Sequence, residues 1–228
     1  MSNRPGSYNR ILLKVSGECF SSGELLRSIT GQVGQLTRRG VHVAVVPGGG
    51  NILRGRDAGR MDRAAADRAG MLATVVNGIR LAEELRALPV SHLSARAIPG
   101  FVEGYSVERG RAALERGEVL VLSGGTGNPF FSTDTAAALR AAELGADAIL
   151  KGTNVAGVYS ADPRKDPSAK LFRRLSYEAA LDRKLAVMDL TAFALCMERR
   201  IPVHVFDIGR PRAIIDITQG KRIGSHIC

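Results

Sequence analysis

Apolar runs that read as buried strands alternate with helical patterns along nearly the whole chain, and no other feature restricts its fold so tightly. The runs are Ile11 to Val15, Val41 to Val46, Val119 to Leu122, Ala148 to Leu150 and Val203 to Phe206. Each is almost continuously apolar, as expected of strands covered on both faces, and the helical segments between them suit crossover connections. The expected fold class is therefore α/β, a three-layer sandwich around a mainly parallel sheet. A helix over 64–87 carries Met71, Leu72, Val75, Val76, Ile79 and Leu85 at helical spacing, read as a core face, and Pro89 stops it. Further helices are expected over 107–116, over 135–144 ending at Gly145, and after Ser176 and Asp189. Gly157, Pro163 and Pro167 punctuate a loop-rich stretch over 152–169, which places a lobe boundary near Leu150 and divides the chain into residues 1–150 and 151–228.

Composition narrows the function. At 228 residues, 45% hydrophobic and 24% charged, the chain suits one globular unit of two lobes. No apolar stretch reaches bilayer length and the first residues are polar, so a cytoplasmic protein without a membrane partner is expected. Cys19, Cys196 and Cys228 have no metal-ligand spacing and read as reduced thiols, with Cys196 as core filler. His42, His92, His204 and His226 fall in or beside strands and read as structural. The net charge is +10, yet the arginines are scattered, aromatic content is 5% and tryptophan is absent, so nucleic acid is not expected as the main partner. Such a field does favour small polyanions such as nucleotides.

Three stretches carry candidate chemistry. The strand at 119–122 runs into Gly124-Gly125-Thr126-Gly127-Asn128-Pro129-Phe130-Phe131-Ser132-Thr133-Asp134 and then a helix. Glycines admit backbone amides to an anion, Thr126, Ser132 and Thr133 add hydroxyls, and the helix start adds positive dipole. Asp134 suits either a helix cap or an acid orienting lysines. The strand at 41–46 runs into Pro47-Gly48-Gly49-Gly50-Asn51, with Arg54 close behind, a concavity for a phosphoryl group or else a flexible hairpin. Lys14 ends the first strand before Ser16-Gly17-Glu18; alone it would read as solvent-facing. Two glycine loops and a lysine at the ends of different strands point to one site where two phosphorylated species meet, which is the geometry of phosphoryl transfer. The chain contains no Walker loop, dinucleotide fingerprint or protein-kinase motif.

Ile11-Leu12-Leu13-Lys14-Val15-Ser16-Gly17-Glu18, the Gly48-Gly49-Gly50-Asn51 run, Gly70-Met71-Leu72-Ala73-Thr74, the 125–134 loop, Ala161-Asp162-Pro163 and Val187-Met188-Asp189-Leu190 together resemble the bacterial uridylate kinases of the amino acid kinase superfamily. The resemblance runs from about Tyr8 onward. It implies an amino acid kinase-like fold and transfer of the ATP γ-phosphoryl group to UMP, with Mg2+ carried by the nucleotide. By matching motif, Lys14, Val15, Ser16, Gly17, Gly50 and Arg54 would bind ATP phosphates, and Thr153, Tyr159 and Asp162 the ATP nucleoside. Gly49, Asp67, Thr126, Gly127, Asn128, Pro129, Phe130, Phe131, Ser132 and Thr133 would bind UMP. Lys14, Arg54, Asp134 and Asp189 would be catalytic, and Lys151 would add positive charge.

From the residues alone, other readings stand beside these. Asp67 also suits a solvent-facing helix charge, Tyr159 a core residue, Asp162 a turn starter before Pro163, and Asp189 an N-cap. The resemblance further implies a homohexamer with GTP and UTP as effectors. It assigns acceptor binding and oligomer contacts to residues 1–150 and ATP binding to residues 151–228. The chain departs from the family between Glu18 and Ile29, where Cys19 to Leu26 replace a longer loop. Rival readings are another small-molecule kinase of the superfamily, a non-catalytic nucleotide binder on the same fold, and a basic DNA-binding regulator.

Overall fold

A computed structural model describes residues 7–53, 59, 61–185 and 187–228. Its strands are β1 (Arg10–Val15), β2 (His42–Pro47), β3 (Val90–Ser94), β4 (Glu103–Gly104), β5 (Val119–Ser123), β6 (Ala148–Thr153), β7 (Val158–Tyr159), β8 (Leu171–Phe172), β9 (Arg174–Leu175), β10 (Val203–Asp207) and β11 (Ser225–Ile227). The helices are α1 (Gly23–Thr37), α2 (Arg63–Glu84), α3 (Val107–Glu115), α4 (Thr133–Leu144), α5 (Tyr177–Asp182), α6 (Leu190–Arg199) and α7 (Ala213–Thr218), and a 3-10 turn spans Gly17–Ser21. Nine strands form one sheet in the order β4-β3-β5-β2-β1-β6-β10-β11-β9, and only the β10–β11 pair is antiparallel. β7 and β8 make a separate antiparallel ribbon.

Two buried clusters on opposite faces of the sheet account for the layering. In β1, Ile11, Leu13 and Val15 point into one cluster and Leu12 into the other, the alternation that a pleated strand imposes. The first face packs against Leu26, Ile29, Val33 and Leu36 of α1, Leu81 of α2 and Ile214, Ile215 and Ile217 of α7. Against the second lie Leu114 of α3, Ala137, Ala138 and Ala141 of α4, Tyr177 of α5 and Phe193 and Cys196 of α6. Small residues on α4 let it lie close over the sheet. Each fully buried Leu, Ile or Val contributes about 1.5–3 kcal/mol. The α/β three-layer arrangement expected from the alternating runs is the one observed.

The core face assigned to α2 needs correction. Val75 and Leu85 are buried, but Leu72, Val76 and Ile79 are 56%, 48% and 41% exposed. At i, i+4 and i+7 they form a stripe facing away from the sheet: helical spacing marks a face but does not say what covers it. The segment from Cys19 to Leu26 is anchored at its ends, with Cys19, Phe20 and Leu26 buried, Ser21 to Glu24 exposed, and Ser22 capping α1 by accepting from the Leu25 N–H. The expected division at residue 150 falls inside β6, and the sheet is continuous on both sides of it.

Candidate active site

β5, β2 and β1 are adjacent and parallel, so the turns after them emerge side by side at the carboxyl edge of the sheet, where open α/β sheets hold ligands. There they surround one cavity of about 710 Å³, lined by Lys14, Ser16 and Gly17 after β1, by Gly48, Gly49 and Gly50 after β2, and by Gly125 and Phe130 to Asp134 after β5. Both glycine loops thus open onto a common space.

At the same edge of the sheet lies an ion triad. Lys14 on β1 is directly opposite Lys151 on β6, and both ammonium groups reach Asp134 in the first turn of α4. Lys14 Nζ is 3.0 Å from Asp134 Oδ1, and Lys151 Nζ donates to Asp134 Oδ2 at 2.6 Å and to the Val187 carbonyl at 2.6 Å. All three side chains are 13–14% exposed, so the two cations depend on the shared carboxylate. Burial pushes the Asp134 carboxyl up, but Lys14 and Lys151 together hold it below its ordinary value. Burial, reinforced by Lys14, pulls Lys151 down despite Asp134. Asp134 Oδ1 is buried against the Lys14 ammonium, and Lys14 also lines the cavity.

The loop after β2 is glycine because it is crowded. A Cβ on Gly49 would lie 2.9 Å from both Ala73 Cβ and the Gly70 carbonyl on α2, and Gly49 does not occupy the left-handed region. The loop after β5 is glycine because of its conformation: Gly125 has φ +60° and its nearest neighbour to a Cβ would be Met71 Cγ at 3.4 Å. Further along, Phe130 holds φ 72°, which costs a non-glycine residue roughly 1–2 kcal/mol. Its N–H donates to Asp67 Oδ2 at 2.8 Å, and Arg63 Nε donates to the same carboxylate at 2.9 Å. Ser132 caps α4 by accepting from the N–H groups of Asp134 and Thr135, so the positive end of that helix faces the cavity.

Asp189 closes the far wall. It caps α6 through the Ala192 N–H at 3.0 Å, accepts from Thr135 Oγ1 at 2.9 Å, and accepts from the Ser132 hydroxyl. The N-cap reading of Asp189 is therefore realised, and the same carboxylate borders the cavity.

Residues 9–207 match the family model described as the amino acid kinase family. The chain belongs to the amino acid kinase family. Within it, the uridylate kinase of Pseudomonas paraeruginosa is 45% identical over 100% of this chain and 97% of its own length. Among solved structures, a UMP kinase from Bacillus anthracis superposes with a TM-score of 0.92 at 32% identity, covering 97% of this chain and 96% of that one. A UMP kinase from Ureaplasma parvum gives 0.91 at 36% identity, covering 100% and 99%.

Against this amino acid kinase frame, most residues singled out in the sequence converge. Lys14, Ser16, Gly17, Gly49, Gly50, Asp67, Phe130, Phe131, Ser132, Thr133, Asp134 and Asp189 all line the cavity. Val15 is fully buried beside them. Gly127 and Pro129 instead border a second cavity of about 440 Å³ behind the loop, and the Gly127 carbonyl accepts from Arg96 Nε at 3.0 Å. Thr126 Oγ1 accepts from the Asn128 N–H within its own turn.

Thr153, Tyr159 and Asp162 are not brought to the 710 Å³ cavity. The Thr153 hydroxyl donates to the Val155 carbonyl at 2.8 Å, Tyr159 pairs with Leu171 in the β7–β8 ribbon, and Asp162 Oδ1 accepts from the Arg164 N–H as a turn residue does. Arg54 lies outside the described residues.

Lys151, given only a minor part by the sequence, is a full member of the triad; its position opposite Lys14 in the ladder was the missing signal. The histidines are structural: His92 bonds Ser123 and burial pulls it down to about 4, His42 Nδ1 meets the Leu114 carbonyl at 2.6 Å, and His204 stacks on His226. Cys196 is fully buried and its thiol is pushed up to about 12, chiefly by burial, which suits core filler.

Proposed function

We propose that the protein transfers the γ-phosphoryl group of ATP to UMP, giving UDP and ADP. The observation that carries this reading is the cavity onto which both glycine loops open, with Lys14 and Asp134 of the ion triad in its wall. In-line transfer between two phosphates needs two anions held end to end with their charge neutralised. Lys14, Ser16, Gly17 and Gly50, with Arg54 assigned from the sequence, take the donor phosphates. Gly49, Asp67 and the loop over 126–133 take UMP, whose phosphate oxygen is ionised at neutral pH and needs no general base. Asp134 is a positioning residue that holds both lysines, and Lys14 stabilises the charge on the transferring group.

Magnesium enters with the nucleotide as part of that substrate. Both oxygens of Asp134 and of Asp189 already face ammonium, hydroxyl or amide groups, which supports a metal bound by nucleotide phosphates in preference to a protein cage. Thr153, Tyr159 and Asp162, in the stretch after β6, form the proposed adenosine end, and residues 151–228 the ATP lobe. The exposed stripe of Leu72, Val76 and Ile79 supports a homo-oligomer, and the family resemblance supports a hexamer with GTP and UTP as effectors. No described helix is long and apolar enough to cross a membrane, consistent with the proposed cytoplasmic site of action.

Coupled ADP release with MgATP and a panel of UMP, CMP, AMP, GMP, dTMP, glutamate and aspartate tests the reading. Turnover with UMP is expected. Turnover with a different acceptor alone would contradict the substrate, and none with any acceptor would favour a nucleotide-binding role.

A further inference from the structure

The two glycine loops leave adjacent, paired strands, β2 and β5, but the pairing ends before the loops begin, so beyond the strand ends another element must set their spacing. α2 runs behind both. Thr74, 2% exposed, accepts the Gly124 N–H through Oγ1 at 2.8 Å while donating to the Met71 carbonyl at 2.7 Å. Asn77, 0% exposed, lies one turn further along; its amide donates to the Gly48 carbonyl at 2.7 Å and to Asn51 Oδ1 at 2.7 Å. Just before them on the helix, Gly49 packs against Gly70, Ala73 and Thr74, where a Cβ would lie within 3.0 Å of all three.

A buried amide on a helix otherwise packed against strands is anomalous. Without partners it would cost several kcal/mol, so an apolar residue would be the default there. Asn77 spends both of its amide donors on the loop after β2, and Thr74 spends its acceptor on the loop after β5. A rigid helix joins these two grips.

We infer that Thr74 and Asn77 are positioning residues that hold the two glycine loops at a fixed separation, with the inner face of α2 as the spacer. The inference rests on the transfer reaction proposed above and adds to it the part that brings donor and acceptor into register. Each loop can still bind its own anion when a grip is lost, but the two anions no longer meet at bonding distance.

The test compares wild type with Thr74→Val, Thr74→Ser and Asn77→Leu. For each, kcat is measured well below the melting temperature, and Kd for UMP and for ATP separately by calorimetry. The Val and Leu variants are expected to lose about 100-fold in kcat, the effect of an ångström-scale misplacement, with each Kd within about 3-fold of wild type. Thr74→Ser, which retains the hydroxyl, should keep near wild-type kcat. Unchanged kcat in Thr74→Val, a kcat loss matched by loss of one nucleotide's binding, or failure of Thr74→Ser to restore turnover would each overturn the inference. If Asn77→Leu does not fold, the Thr74 pair alone decides. Wild-type inactivity toward UMP would bring down the reaction itself, a result distinguishable from active wild type with unaffected variants.

Discussion

The loops after β2 and β5 are both glycine-rich and border the same cavity, yet glycine is required in them for different reasons. At Gly49 the backbone conformation is open to any residue, and the obstacle is α2, whose Ala73 and Gly70 leave no room for a Cβ. At Gly125 there is room, and the obstacle is a φ of +60°. One loop is squeezed against a helix and held by it. The other folds over on itself, bonded at Gly124 and Phe130 by Thr74 and Asp67 of α2 and at Gly127 by Arg96 just after β3. The same composition therefore serves a rigid shelf in one place and a shaped cover in the other.

Removing the Lys14 charge from the cavity wall should produce the largest effect. Lys14→Ala is expected to lower kcat by about 10²–10³-fold while UMP affinity changes far less, because the ammonium acts on the transferring group. Steady-state kinetics alongside UMP calorimetry checks this; weakened UMP binding at normal kcat would move Lys14 out of the donor half.

The contrast between the glycines comes next. Gly49→Ala should cost about 1–3 kcal/mol of stability through overpacking, and Gly49→Asn more. At Gly125 the order reverses: Asn, which tolerates the left-handed region, should be milder than Ala, whose penalty is about 1 kcal/mol. Denaturant melts of the four variants measure both orders, and the same ranking at both positions would erase the distinction.

Asp67→Ala should raise the KM for UMP by about 10-fold with little change in the KM for ATP, since it frees the Phe130 N–H and relaxes a backbone held at φ 72°. Equal effects on both nucleotides would mean that the cover loop is not the acceptor's alone.

The smallest expected effect concerns acid. The native Asp134 carboxyl is depressed below its ordinary value of 3.8, so its contribution is fully present above that value and is lost as pH falls through the lower native one. Asp134→Asn should accordingly show a flatter acid-unfolding profile than wild type, and parallel profiles would contradict the ion triad.

Much of this is legible in the amino-acid sequence. Continuous apolar runs located β1, β2, β5, β6 and β10, and those strands carry both loops and Lys14 to one edge. β3 was not legible, because its Ser91 and His92 interrupt the apolar signal; His92 is half-buried and satisfied by Ser123. β4, β7, β8 and β9 have two residues each, too few for any periodicity. Lys151 becomes meaningful only through its register with Lys14, a relation between residues far apart in the chain. The exposed side of α2 shows the reverse failure: Leu72, Val76 and Ile79 gave a clear helical period, but periodicity cannot distinguish the protein's own sheet from an external surface. Thr74 enters the sequence reading only as part of the motif over 70–74, and Asn77 not at all, because neither the motif nor the helical period says which loop a buried polar side chain will meet.

The central claim is that the two loops hold two nucleotides end to end in one cavity, and a ligand joining adenosine and uridine 5′ to 5′ through an oligophosphate chain tests it most directly. Titration calorimetry should find one such molecule bound per chain, more tightly than ATP or UMP alone, and excess of either nucleotide should displace it. Displacement by only one of them, or two molecules bound per chain, would contradict the account.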